Sequence, residues 1–234
     1  MKATFTYLAE LNDFLPHDRK NTPIDVEFEP HQSLKHLIES TGVPHTEFGQ
    51  VMVNGQAVDS SERLHGGEQV TVFPDHSSLD DEPCFILDNH LGQLATYLRM
   101  LGFDCLYRND YQDNELARVS IEENRVLLTR DRRLLMRKAI RRGYCIHQTD
   151  PRLQAAEVLR RFNLTNQVQP FQRCLRCNGT LQPVAKHDVI ERLEPLTRKY
   201  YDEFHICPSC KQVYWKGSHY EHMQQLIVEL EAQA

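Results

Sequence analysis

Long apolar runs are missing from this chain of 234 residues: nowhere do 18 successive apolar residues occur. Glu10 and Asp13 also stand close to Phe5, Tyr7 and Leu8, which leaves no uninterrupted apolar core for a secretory signal. Cysteine is scarce for a disulfide framework, because there are seven and the number is odd. We therefore expect a cytoplasmic protein without a membrane partner, in which reducing conditions keep the thiols free.

Acidic residues outnumber basic ones, and the net charge of -6 argues against a general nucleic-acid coat. The balance is uneven, because residues 1–82 hold 5 Lys and Arg against 15 Asp and Glu, whereas residues 83–170 hold 14 against 10. Most of the middle excess surrounds one acid, Asp131, and the candidate RNA-binding residues there are Arg130, Arg132, Arg133, Arg137 and Lys138. Two interpretations stay open, a polyanion contact and a solvated basic helix face.

The first third of the chain has the pattern of a small mixed sheet. Residues 2–8 and 24–28 alternate like strands, a helical spacing follows Ser33, and an Asn54-Gly55 turn lies between two apolar runs. Residues 69–74 have the pattern of a last strand. This order predicts a β-grasp domain over residues 1–76, followed by a polar linker over 77–83.

This region resembles the ubiquitin-like sulfur carriers of thiamine and molybdopterin synthesis. The resemblance rests on Val53-Asn54-Gly55 and on Leu64-His65-Gly66-Gly67-Glu68-Gln69-Val70-Thr71-Val72-Phe73-Pro74. Those carriers act through a free C-terminal Gly-Gly, whereas Gly66-Gly67 precedes a strand here. We therefore expect a tight turn at Gly66-Gly67 instead of carrier chemistry.

Strand-like and helix-like segments alternate over residues 84–165. The predicted strands are 84–87, 104–107, 125–129 and 144–147, and the predicted helices are 90–101, 113–122, 131–142 and 151–162, the third of them ending at Gly143. This alternation predicts an α/β domain with a parallel sheet and right-handed crossovers.

Two aspartates follow apolar runs of this domain: Asp88 comes after Phe85-Ile86-Leu87, and Asp131 comes just after Val126-Leu127-Leu128-Thr129. Because side chains past the carboxyl ends of parallel strands converge on one crevice, such acids can share a divalent cation. Mg²⁺ or Mn²⁺ held in this way can activate a water. Asp110, Asp113 and Glu115 are further candidates, and each Asp could alternatively be a helix N-cap.

Cys174-Leu175-Arg176-Cys177 and Cys207-Pro208-Ser209-Cys210 are two knuckles whose four thiolates can close a tetrahedral zinc site. A closed four-sulfur site leaves no position for a reactive water, so the predicted zinc is structural. A redox dithiol and an iron–sulfur cluster are the alternatives. We assign residues 166–234 to a zinc ribbon with a C-terminal helix.

The chain from residue 84 to about residue 222 resembles the Mut-seven C-terminal RNase family of PIN-like nucleases. The resemblance lies in Phe85-Ile86-Leu87-Asp88, Leu98-Arg99-Met100-Leu101-Gly102-Phe103-Asp104, Arg125-Val126-Leu127-Leu128-Thr129-Arg130-Asp131-Arg132 and the ribbon segments around the four cysteines. It implies a PIN-like domain over 84–165 and a divalent-metal RNase activity. Asp88 and Asp131 match the family's acids, and Asp110, Asp113 or Glu115 supplies the middle one.

The leading hypothesis is therefore a ribonuclease hydrolase in which a carboxylate-bound Mg²⁺ or Mn²⁺ activates water for attack on an RNA phosphodiester. The alternative is an inert module that binds tRNA or rRNA through the ribbon and the arginine stretch. In either case the β-grasp domain could bind a protein partner.

Overall fold

A computed structural model describes residues 1–79 and 82–234 of the chain. Two compact units are formed. Unit 1 comprises Met1–Ser78 and Asp113–Cys145, and unit 2 comprises Leu79–Gln112 and Ile146–Ala234. The linker predicted over 77–83 includes residues 80 and 81, which lie outside the described residues.

The N-terminal part of unit 1 is a five-stranded sheet with one helix. Its elements are β1 (Lys2–Tyr7), β2 (Ile24–Glu27), α1 (Leu34–Ser40), β3 (Phe48–Val53), β4 (Gln56–Val58) and β5 (Gln69–Pro74). The strand order is β2-β1-β5-β3-β4, with β1 parallel to β5 and antiparallel to β2. This mixed sheet confirms the β-grasp prediction.

Alternating side chains of β1 and β5 bury one face of this sheet. Phe5 and Val72 are fully buried, and Leu37 and Ile38 of α1 are buried as well. Ser33 caps α1 by accepting a hydrogen bond from the backbone N–H of His36. The core therefore consists of the apolar positions that the alternation and the helical spacing predicted.

The middle of the chain supplies strands and helices in alternation. They are β6 (Cys84–Leu87), α2 (Gly92–Met100), β7 (Asp104–Tyr107), α3 (Asp113–Glu122), β8 (Val126–Thr129), α4 (Arg132–Leu135), β9 (Gly143–Cys145) and α5 (Pro151–Arg161). In unit 2, β6 and β7 pair in parallel, and in unit 1, β8 and β9 pair in parallel. The predicted parallel α/β sheet is confirmed.

The helix predicted over 131–142 is wrong in its length, because α4 covers only Arg132–Leu135. Basic side chains crowd the following segment, and like charges three or four residues apart destabilise a helix. Gly143 does not end a helix. It is the first residue of β9, where an added Cβ would lie 2.6 Å from Leu135 Cδ2. The last strand accordingly covers Gly143–Cys145 instead of 144–147.

The C-terminal part of unit 2 is a small antiparallel sheet with short helices. Its elements are β10 (Gln182–Val184), α6 (Lys186–Val189), α7 (Pro195–Tyr200), β11 (Phe204–Ile206), β12 (Val213–Trp215) and α8 (Ser218–Gln233). The strand order is β10-β11-β12. One apolar cluster of this part consists of Val189, Leu193, Phe204 and Val213. Along the described part of the chain, none of the helices combines the length and apolar character needed to cross a bilayer.

Candidate functional site

Asp88 belongs to unit 2 and follows β6 directly. Its side chain is buried, with 6% exposure, and its Oδ1 accepts a hydrogen bond from the backbone N–H of His90 at 2.9 Å. The three residues before Asp88 are fully buried. The apolar strand therefore places this carboxylate at a position where water has little access, and a buried carboxylate needs compensating partners.

Asp131 belongs to unit 1 and is exposed. It is the N-cap of α4: its Oδ1 accepts a hydrogen bond from the backbone N–H of Arg133 at 2.8 Å. Its own N–H donates to Oγ1 of the buried Thr129 at 2.9 Å. Thr129 thus holds the backbone of Asp131, and the first turn of α4 holds its carboxylate.

A concavity of about 530 Å³ surrounds Asp131 within unit 1. One side comes from the end of α1 and the residues after it, and the other side is the Asp131 segment; the lining residues are Glu39, Ser40, Thr41, Gly42, Arg130, Asp131, Arg132, Arg133 and Met136. The β-grasp domain therefore contributes to the surroundings of this acid.

The three candidates for the middle acid differ in their partners. The carboxylate of Asp110 forms a two-point contact with Arg108, at 2.9 and 2.8 Å, and this hydrogen bonding lowers its pKa below the usual range. Asp113 and Glu115 lie in the first turn of α3 in unit 1. Asp113 Oδ2 accepts a 3.4 Å contact from Arg137.

The predicted RNA-binding residues differ in their contacts and in their exposure to solvent. Arg132 donates hydrogen bonds to the backbone oxygens of Phe14, at 2.7 Å, and Asp13, at 3.2 Å. Its guanidinium lies 5.1 Å from the centre of the Phe14 ring. Arg137 donates to Asn114 at 2.7 Å. Arg130, Arg133 and Lys138 are exposed.

Two further side chains of the β-grasp domain contact the segment after Asp131. His45 lies between Glu39, at 2.6 Å from Nδ1, and the backbone oxygen of Ile140, at 2.7 Å from Nε2. The buried Glu47 accepts a hydrogen bond from the N–H of Cys145 at 2.7 Å. No sequence motif marked these residues, because their contacts with Ile140 and Cys145 join positions 95 and 98 residues apart.

The four ribbon cysteines come together in unit 2, with their sulfur atoms within 4.8 Å of one another. Cys174 Sγ lies 3.5 Å from Cys210 Sγ, and Cys177 Sγ lies 3.4 Å from Cys207 Sγ. Tetrahedral zinc with bonds of about 2.3 Å separates its sulfur ligands by about 3.8 Å. The cluster is therefore positioned to bind a metal and is compatible with structural zinc.

The backbone around the knuckles supports this role. Asn178 and Lys211, each directly after the second cysteine of a pair, both adopt positive φ, of 71° and 63°. Hydrogen bonds from Cys210, Cys177 and Ser209 outweigh burial and lower the pKa of Cys207 to about 7, whereas burial raises the pKa of Cys177 to about 12. The thiolate is the form that binds zinc.

The first knuckle also packs against α2 and β7 within unit 2. The buried Arg99 donates to the backbone oxygens of Cys105, at 2.9 Å, and Leu175, at 3.2 Å. Asn178 accepts a hydrogen bond from the N–H of Cys105 at 2.9 Å and donates to Asp104 at 2.9 Å. These hydrogen bonds therefore connect the ribbon to α2 and β7.

Comparisons with known proteins give matches over most of the chain. The Mut7-C ubiquitin family matches residues 1–80, and the Mut7-C RNAse domain family matches residues 83–227. Two crystal structures of small archaeal modifier protein 1 (SAMP1) from Haloferax volcanii are also similar, each with 16% identity and a TM-score of 0.26. They cover 32% and 31% of this chain and 96% and 95% of their own. A search of curated proteins finds no match. The chain therefore belongs to the Mut7-C RNAse domain family, with the ubiquitin-like domain of that name in front of the RNase domain.

Proposed function

We propose that this protein is a ribonuclease that hydrolyses RNA phosphodiesters with the help of a divalent cation. The observation that carries the proposal is the family match over residues 83–227, which includes both strand-end acids, Asp88 and Asp131. The basic stretch after Asp131 supports RNA as the substrate, because exposed arginine and lysine side chains bind phosphate oxygens. A reducing, cytoplasmic compartment fits the four thiols of the ribbon.

Asp88 and Asp131 are the residues that we propose hold Mg²⁺ or Mn²⁺. In both residues Oδ1 accepts a backbone hydrogen bond, which orients the carboxylate. Such a cation, when bound, would activate a water and stabilise the leaving oxygen of the phosphodiester. For the middle acid we propose Asp110, Asp113 or Glu115, and Arg108 contacts both carboxylate oxygens of Asp110.

We assign different tasks to the neighbouring basic residues. Arg132 is bound to the β-grasp backbone, so its proposed task is to position the Asp131 segment. The exposed Arg133 and Lys138 are the proposed phosphate contacts. The ubiquitin-like domain thus supports the candidate site, and a protein partner for this domain stays a prediction.

Cleavage of labelled single-stranded RNA in Mn²⁺ tests the proposal. We expect the wild-type chain to cut the RNA, and Asp88→Asn and Asp131→Asn each to lose at least the roughly 10- to 100-fold that loss of a metal-supporting group costs. Asp150→Asn is the matched control, because Asp150 makes the same cap contact, to Arg152 N at 2.8 Å, at the start of α5.

Equal activity of Asp88→Asn, Asp131→Asn and the wild type would overturn the proposal. If Mn²⁺ leaves the RNA intact while the wild type and both variants still retard it in a gel, the protein is instead an RNA-binding module. An equal loss in Asp150→Asn would show that the effect is not specific to the two acids, and it would also overturn the proposal.

A further inference from the structure

The ribbon part of unit 2 contains a cavity of about 180 Å³ that no step of the proposed cleavage uses. Its walls include Phe171, Tyr214, Trp215 and Tyr220, which come from the segment before the first knuckle, from β12 and from α8. Drug-sized ligands occupy pockets of roughly 300–1,000 Å³, so this cavity is suited to one planar ring system.

Local structure holds the aromatic side chains in place. The Phe171 and Tyr220 rings lie 4.5 Å apart, centre to centre. Phe171 has a positive φ of 63°, a conformation that is rare for a bulky residue and is often found at ligand sites. Its N–H donates to the backbone oxygen of Met100 at 3.0 Å, which fixes this conformation.

Trp215 is partly open to solvent, with 38% exposure. A side chain at Gly217 would crowd it, because an added Cβ would lie 3.0 Å from the indole Nε1. Glycine therefore lets the indole lie close to the backbone. In the register of β11 and β12, His205 stands opposite Tyr214, so both side chains project to the same face, and both line the cavity.

The cavity is lined by two cations, Arg173 and Lys216, and by one carboxylate, Glu203. Arg173 is held by Asp104 Oδ2 at 3.1 Å and by the backbone oxygen of Asn178 at 3.1 Å. Lys216 pairs with Glu203 at 2.9 Å at the exposed edge. Aromatic faces beside cationic side chains are the features that bind unpaired bases and their phosphates in single-stranded nucleic acid.

We propose that this cavity binds one nucleobase of single-stranded RNA, with the base stacked on Trp215 and the adjacent phosphate near Lys216. The inference rests on the proposed function for the choice of RNA as ligand. It adds a subsite that holds the substrate strand in the ribbon, separate from the acids assigned to cleavage.

Trp215 is the only tryptophan of the chain, so its fluorescence reports on the cavity alone. A short oligoadenylate is titrated into the full zinc-bound chain without Mg²⁺ or Mn²⁺, so that cleavage does not interfere. We expect saturable quenching by the oligoadenylate and little quenching by an abasic oligomer of the same length.

Anisotropy of the labelled oligoadenylate measures the affinity of variants. Trp215→Ala and Tyr220→Ala should bind roughly 5- to 100-fold more weakly, whereas Trp215→Phe should stay close to the wild type because it keeps an aromatic face. Tyr200→Ala is the control: Tyr200 is exposed, with Lys199 5.0 Å from its ring centre, but does not line the cavity. Zinc content and circular dichroism confirm that each variant is folded.

Unchanged affinity of both Trp215→Ala and Tyr220→Ala, or RNA binding without any change in fluorescence, would overturn the inference. Those results leave the proposed cleavage standing if the wild type still cuts RNA in Mn²⁺. Conversely, base-dependent quenching in a protein that cuts nothing would refute the cleavage proposal and keep the binding site.

Discussion

The β-grasp part of unit 1 and the ribbon part of unit 2 are similar in length but are stabilised in different ways. The β-grasp part buries a full set of large apolar side chains, among them Phe5, Leu34 and Leu37 at no more than 1% exposure. The ribbon part contains a small apolar cluster of four buried residues and, in addition, the four clustered cysteines. From this difference we predict that hydrophobic burial stabilises the first part, whereas a metal bound by the four cysteines would stabilise the second.

Zinc removal should give the largest effect. Structural zinc contributes about 10–16 kcal/mol to ribbon-like modules, so chelation or Cys207→Ser should unfold residues 171–216. Hydrogen exchange measured by mass spectrometry should show lost protection there, while β1 and β5 stay protected. Cys84→Ala, outside the cluster, should keep the zinc. If the ribbon amides stayed protected from hydrogen exchange after zinc removal, the claim that a metal stabilises the ribbon would be refuted.

A core truncation in the β-grasp domain is the converse test. Leu37→Ala should destabilise this domain by about 2–5 kcal/mol, because it leaves a cavity at a fully buried site. Urea denaturation followed by hydrogen exchange in α1 measures the loss. His36→Ala, an exposed neighbour on the same helix, should change the stability by less than about 0.5 kcal/mol. If Leu37→Ala lost its zinc, the claim that the β-grasp part and the ribbon part are stabilised independently would be contradicted.

The adjacent arginines allow a smaller test of how the β-grasp domain supports Asp131. Arg132→Lys should cost about 1 kcal/mol, because one ammonium group cannot span the backbone oxygens of Phe14 and Asp13 as a guanidinium does. Cleavage should fall roughly tenfold as the Asp131 segment loosens. Thermal unfolding and initial rates provide the two readouts, and a variant with unchanged stability and rate would exclude the positioning task.

Arg133→Ala tests the exposed arginine next to Arg132, which we propose contacts phosphate. It should leave the unfolding transition unchanged but weaken RNA binding and lower the slope of log affinity against log salt by about 1, as expected for one phosphate contact. Fluorescence anisotropy at several salt concentrations gives this slope. An unchanged slope would remove Arg133 from the RNA contacts.

Local patterns predicted much of this fold. The strand alternation and the Asn54-Gly55 turn predicted the β-grasp sheet, and the two Cys-x-x-Cys pairs predicted the cluster of four cysteines. Each of these signals lies within a few neighbouring residues, where backbone propensity and side-chain spacing are decisive. The helix predicted over 131–142 failed because a count of helical positions ignores charge repulsion and the close packing of Gly143 on Leu135.

Contacts between distant segments could not be predicted in this way. Arg132 has the same charge and setting in the sequence as Arg133, yet only the folded chain shows that it binds the backbone at Phe14. Arg99 is buried and donates a hydrogen bond to the first knuckle, although an arginine on a helix usually points to water. Such roles depend on which segments meet in space, and one sequence does not specify that.

The most direct test of the central proposal is a titration of the zinc-loaded chain with Mn²⁺, in which electron paramagnetic resonance measures the bound ion. We expect the wild type and Asp150→Asn to bind a Mn²⁺ ion that Asp88→Asn and Asp131→Asn each bind at least roughly tenfold more weakly. Undiminished Mn²⁺ affinity in both strand-end variants would contradict the account.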